Sequence, residues 1–250
     1  MPDLKSTIST VRESTTAILR ISLNRPEQIK KGKVRPARFK ASLCGSGFCV
    51  VPDRYLLTAH HTLNNGQQRD GNDKFYVFIV PHNGNVAHHF PVISFPVERA
   101  DIDIAVLEIG APATVGLHIP AIPVTFAPKS DGDRVVTVGF PAPEIISLNI
   151  GPVLTYQGGQ FFLMSHANEG IVSAQYPHQI GGRLYELNVG WHHGESGGPI
   201  VCLDDSLAVF SLMQHYRNIQ GPHGIVAGPH RGISLSAIQQ DLLALGAIGI

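Results

Sequence analysis

The segment Gly194-Glu195-Ser196-Gly197-Gly198-Pro199 holds a serine among glycines. Glycine tolerates tight turns and positive φ, so such a loop can present a hydroxyl and neighbouring backbone N–H groups at one point. A nucleophile and the oxyanion it creates both need that arrangement. A serine hydroxyl is a poor nucleophile until a base within hydrogen-bond reach takes its proton. Upstream, Leu56-Leu57-Thr58-Ala59-His60-His61 supplies imidazoles and Asp101-Ile102-Asp103-Ile104-Ala105-Val106-Leu107 supplies carboxylates, each at the edge of an apolar run. Histidine, aspartate and serine in that order suit acyl transfer: attack by the hydroxyl, proton relay through the imidazole, and a carboxylate on the other ring nitrogen.

These three segments resemble the Thr-Ala-x-His, Asp-Ile-Ala-x-Leu and Gly-Asp-Ser-Gly-Gly-Pro signatures of the chymotrypsin-like serine proteases. The resemblance implies Ser196 as nucleophile, His61 as general base and acid, Asp103 as its orienter, and the N–H groups of Gly194 and Ser196 as the oxyanion hole. The register selects His61 over its neighbour His60, read as a packing or surface residue. It likewise selects Asp103 over Asp101, read as a solvated turn residue. A looser similarity joins Asp131-Gly132-Asp133-Arg134-Val135-Val136-Thr137-Val138-Gly139-Phe140-Pro141 and Gly170-Ile171-Val172-Ser173-Ala174 to bacterial high-temperature-requirement (Deg-type) proteases. No Ile-Val-Gly-Gly activation terminus is present, and Glu195 stands where zymogen-activated relatives have the aspartate that binds the freed amino terminus. The family's zymogen switch is therefore expected to be unused.

By the same resemblance, Gly190, six residues before the serine, forms the base of the primary substrate pocket. Gln214, His215 and Tyr216 form its wall, Gly232 lies opposite, and His193 stands nearby. A lysine or arginine side chain would find no carboxylate at Gly190 to replace its hydration. A small or apolar P1 residue fits an uncharged pocket, while His193, His215 or His230 offers an acidic P1 residue an alternative partner.

The elements that must position these residues read as strands. Candidates are 17–23, 46–51, 55–58, 75–80, 89–95 and 104–109, then 134–140, 149–155, 160–164, 170–174, 184–187, 199–203 and 207–213, with helical apolar spacing from Leu235 to Leu245. The fold class expected is all-β: two six-stranded antiparallel β-barrels of chymotrypsin type with a C-terminal helix. The first barrel, over 1–115, carries His61 and Asp103; a linker spans 116–124. The second barrel, over 125–234, carries the nucleophile and oxyanion hole, and the helix spans 235–250. The basic stretch Lys30-Lys31-Gly32-Lys33-Val34-Arg35-Pro36-Ala37-Arg38 reads as a solvated loop.

Composition narrows the partners. Lys plus Arg number 19 and Asp plus Glu number 19, so no global charge favours nucleic acid or an anionic membrane. A protein or peptide substrate is the partner the motifs imply. The adjacent pairs His60-His61, His88-His89 and His192-His193 come without a His-Glu-x-x-His or Cys-x-x-Cys companion, so neither metal nor other cofactor is expected. Cys44 and Cys202 match cysteines that are disulfide-bonded in secreted relatives, yet Thr62 stands where the partner of the first is expected. With Cys49 that makes an odd set of three thiols, and with no apolar h-region in the first residues the expected location is the cytoplasm. Two alternatives stay open: a protease-like fold serving as a binding module, and a latent protease switched on by an activating partner or signal.

Overall fold

The computed structural model describes residues 3–26, 28–30, 33–35, 37–64, 68–80, 88–112, 114–190, 192–203, 207–221 and 224–250. The chain begins with α1 (Leu4–Ser14), capped by Asp3, whose side chain accepts the Ser6 N–H. Eight strands follow: β1 (Thr15–Arg25), β2 (Gln28–Lys30), β3 (Lys33–Arg35), β4 (Arg38–Val51), β5 (Tyr55–Thr58), β6 (Lys74–Ile79), β7 (His88–Arg99) and β8 (Ile104–Ile109), with the short helix α2 (His60–Asn64) after β5. Six of them close an antiparallel barrel in the order β1-β4-β5-β8-β7-β6. The basic stretch is not a loop: β2 and β3 pair as the tip of the long β1–β4 hairpin, with Lys31, Gly32 and Pro36 outside the described residues.

The second half contributes β9 (Arg134–Gly139), β10 (Glu144–Ile150), β11 (Tyr156–Phe162), β12 (His166–Pro177), β13 (Arg183–Asn188), β14 (Pro199–Cys202), β15 (Val209–Gly221) and β16 (Gly224–Ser234). The barrel order is β12-β13-β16-β15-β14-β9. Two strands expected in this barrel lie outside it: β10 and β11 form their own hairpin, and Pro152–Leu154 is a 3-10 turn. The strand that completes the barrel is β16, which the sequence reading missed. The chain closes with a 3-10 turn (Leu235–Ile238) and α3 (Gln239–Ala244) rather than one helix to residue 250. Beyond α3, Val124 N–H donates to Ile248 O and Ile250 N–H to Val124 O, both at 2.9 Å, so the end of the chain is sewn to the inter-barrel segment.

The motif strands are unbroken apolar runs because both of their faces are buried. Leu56, Ala105 and Leu107 fill the first barrel's interior with Ile18 and Phe90. Their neighbours Leu57, Ile104 and Val106 point the other way, into a seam shared with Val136, Val138, Val201, Leu212 and Ile233 of the second barrel. Period-two alternation thus divides one strand between barrel core and inter-barrel core. The β10–β11 hairpin is fastened to the first barrel by aromatic packing: Phe78 meets Phe161 and Tyr156 with centroids 4.9 and 5.4 Å apart, and the Tyr156 N–H donates to the Tyr76 hydroxyl at 2.9 Å. Among the described residues no helix is long and apolar enough to cross a membrane.

Candidate active site

His61 lies in the first turn of α2, just past the end of β5, and Asp103 lies in the turn before β8, so the β5–β8 pairing delivers both to one end of the barrel. Asp103 grips the histidine twice, accepting the backbone N–H of His61 at Oδ1 (2.8 Å) and pairing with ring Nδ1 at Oδ2 (2.7 Å). The His60 N–H donates to the Asp103 carbonyl as well, at 3.2 Å. Asp103 sits at φ 56, a left-handed conformation that costs a non-glycine residue about 1–2 kcal/mol. The neighbours that compete for these roles are engaged elsewhere. Asp101 is chelated by Arg99 at 2.9 and 2.7 Å, and His60 faces Glu98 at 3.7 Å.

Ser196 approaches from the second barrel, in the loop that follows β13 and leads into β14. Its carbonyl accepts the Ser46 N–H at 2.8 Å, and Gly197 N–H donates to Met213 O at 2.7 Å. Gly197, at φ 85, has no room for a side chain: a Cβ would come within 2.2 Å of Ser46 O and 2.3 Å of Thr58 Oγ1. The serine hydroxyl itself donates to Gln214 O at 2.8 Å. That carbonyl is released from the sheet by a register shift between Met213 and Tyr216 on β15. Rotation about one side-chain bond moves the hydroxyl off it.

The turn before the serine fixes where two N–H groups point. Glu195 N–H closes it onto His192 O at 3.2 Å, and Gly194 at φ 103 supplies the left-handed position that such a turn requires. The His193 carbonyl is held by Ala142 N–H at 2.7 Å. Because a trans peptide opposes its C=O and N–H, the Gly194 N–H faces the other way, and neither it nor the Ser196 N–H donates to an acceptor among the described residues. Ser46, fully buried, clamps the turn from the first barrel by donating its hydroxyl to Gly194 O (2.7 Å) and accepting Phe140 N–H (2.9 Å). Thr58 Oγ1 donates to the Ser46 carbonyl at 2.7 Å and lies 3.1 Å from Thr62 Oγ1. A hydroxyl ladder therefore occupies the place where the family resemblance puts a cysteine after the histidine.

The expected pocket residues fall into three groups. Gly190 lies exposed just past β13, where a Cβ would stand 3.1 Å from Asn168 Oδ1, and His193 is exposed on the turn. His215 and Tyr216 lie on β15, but their side chains fall outside the described residues. Gln214 and Gly232 are engaged away from a pocket wall. The buried Gln214 side chain reaches across to donate to Ile102 O at 2.8 Å, bracing the Asp103 turn. A Cβ on Gly232 would strike Ile200 and Ser211 inside the second barrel, so its bareness serves packing. His230, on β16 opposite Leu187 and Tyr216, has its pKa lowered by burial and then by His192. Sequence reasoning passed over Ser46 and Asn168, which are recognisable only by what they touch, and met Thr58 only as the first residue of the histidine signature, without its contact to Ser46. Cys44, Cys49 and Cys202 are all outside disulfides, and burial pushes the Cys49 thiol up to about 12.

A double six-stranded barrel with this loop at its seam is the chymotrypsin-like fold. Residues 45–209 match the trypsin-like peptidase domain family, and the chain belongs to that family. Among solved structures it is similar to the HtrA-type protease AlgW with a decapeptide, at TM-score 0.64 and 16% identity over 98% of this chain and 69% of that one. It is similar also to AlgW with a tripeptide, at TM-score 0.58 and 17% identity over 98% of this chain and 65% of that one. No curated protein sequence matches it.

Proposed function

We propose that the chain is a serine endopeptidase that forms an acyl-enzyme on Ser196. The observation that carries this reading is the two-point hold of Asp103 on His61. It fixes the ring and commits Nδ1 to the carboxylate, so Nε2 is the nitrogen that takes the serine proton in this reading. His61 takes the Ser196 proton as the hydroxyl attacks the scissile carbonyl, Asp103 stabilises the imidazolium, and His61 returns the proton to the leaving amine. The Gly194 and Ser196 N–H groups receive the developing oxyanion, a contribution of roughly 3 kcal/mol per donor. The substrate is a protein or peptide chain, with a small or apolar residue at P1, because Gly190 offers no carboxylate to a basic one. Three cysteines outside disulfides support a reducing compartment, and we place the activity in the cytoplasm.

The test is labelling by a fluorophosphonate probe. Wild-type protein should be modified at Ser196, and S196A or H61A should abolish the signal. An unlabelled wild type would return the chain to the reading of a binding module. A peptide library with every residue equally represented at P1 then tests the pocket: cleavage mainly after lysine or arginine would show that Gly190 does not form its base.

A further inference from the structure

Glu195 precedes the serine and is buried, yet its carboxylate has no step in the acyl transfer. Among the described residues it forms no ion pair. Its charge is met by two N–H donors, His192 N–H to Oε2 at 2.7 Å and Asn168 Nδ2 to Oε1 at 3.1 Å. Burial raises its pKa, and the donation from His192 leads the opposing effects. The side chain fits because β9 leaves a gap beneath it: a Cβ on Gly139 would come within 2.9 Å of Glu195 Cβ. Asn168 reaches it from β12, where it pairs with Thr137 of β9. The titratable groups acting on the carboxylate are His166 of β12 and His192 of the turn, while β9 presents bare backbone at Gly139.

The same residue closes the oxyanion turn from both sides. Glu195 N–H donates to His192 O, and His192 N–H donates back to the Glu195 carboxylate. Whatever holds that carboxylate therefore holds the turn whose Gly194 N–H must face the substrate. In zymogen-activated relatives a freed amino terminus does this, and here the donor is an amide inside the second barrel. We propose that Asn168 is a positioning residue for the oxyanion turn, fixing the Glu195 carboxylate and through it the direction of the Gly194 N–H. The proposal rests on the reading of Ser196 as nucleophile.

The pairing can be inverted. N168D sets two carboxylates against each other, so kcat should fall by at least about tenfold at pH 8 with KM little changed, as for a weakened oxyanion donor. The deficit should shrink toward pH 6, where the pair can keep one proton and restore the hydrogen bond. In N168D/E195Q, donor and acceptor exchange places: the new side-chain amide on the turn donates to the new carboxylate on β12, while the amide's oxygen still accepts the His192 N–H. The kcat of this double variant should recover well above that of N168D. If N168D does not fold, N168A removes the donor without adding charge and should show the same loss of kcat at unchanged KM. Wild-type kcat in N168A, or a folded double variant no better than N168D, overturns the proposal. Failure of wild-type protein to label at Ser196 overturns the serine reading instead, so the two failures are distinguishable.

Discussion

At the residue scale, the decisive contacts separate near-identical neighbours. His60 and His61 are adjacent, but α2 turns only one of them onto the Asp103 carboxylate. If Ser196, His61 and Asp103 act as the unit proposed above, S196A and H61A should each lower turnover by roughly 10⁴- to 10⁶-fold, with the double variant hardly worse than either. H60A removes a partly buried pairing with Glu98 that spans 3.7 Å, too long for a hydrogen bond and worth about 1 kcal/mol, and should keep activity within about threefold of wild type. Steady-state rates on a peptide substrate check both, and the reverse result would move the base to His60. The motif residues were legible because their spacing is local. Ser46 was not, since its two partners lie 148 and 94 residues away along the chain and are backbone atoms that any residue could supply.

At the element scale, strands buried on both faces were the readable ones, and β8 matches its apolar run from Ile104 to Ile109. The misses have physical causes. The helix α1 packs on the core through only three apolar residues, Leu4, Ile8 and Val11, set among serines and threonines, a stripe too thin to announce a helix. β16 contains Gly224, Gly228, Pro229 and Gly232, residues that signal turns, and is held in the sheet by its neighbours on both sides. β10 and β11 are apolar enough to suggest barrel strands, but they spend those side chains on the outside of the first barrel. His89 belongs to that contact, with its ring centroid 4.6 Å from Tyr156. Its pKa is lowered, first by burial and then by His88. A histidine with a depressed folded-state pKa contributes stability that is present above its ordinary value near 6.5 and lost as pH falls through the folded value. The melting temperature should therefore drop on acidification below about pH 6.5, and H89F should flatten that drop. An unchanged slope in H89F would remove His89 from the acid response.

At the scale of the whole molecule, the two barrels are joined without a covalent staple. The seam of Leu57, Ile104, Val106, Val136, Val138, Val201 and Leu212 excludes water along their shared face. The ladder from Thr62 through Thr58 to Ser46 carries polar contact from the histidine side to the serine side. Secreted domains of this kind gain about 2–5 kcal/mol from each native disulfide, and here apolar burial and these hydrogen bonds supply cohesion instead. Cys49 faces the first barrel's core and Cys202 the second's, so those two thiols act as small apolar groups within separate interiors. Addition of dithiothreitol should accordingly leave both the melting temperature and the peptidase rate unchanged. Intact mass of the unreduced protein should equal that of the reduced form. Iodoacetamide at pH 8 should spare Cys49 in the folded state, because a thiol with a pKa of about 12 holds almost no thiolate there, and should label it once the chain is unfolded. A mass two hydrogens short, with a melting temperature that falls on reduction, would reveal a bridge and move the protein to an oxidising compartment.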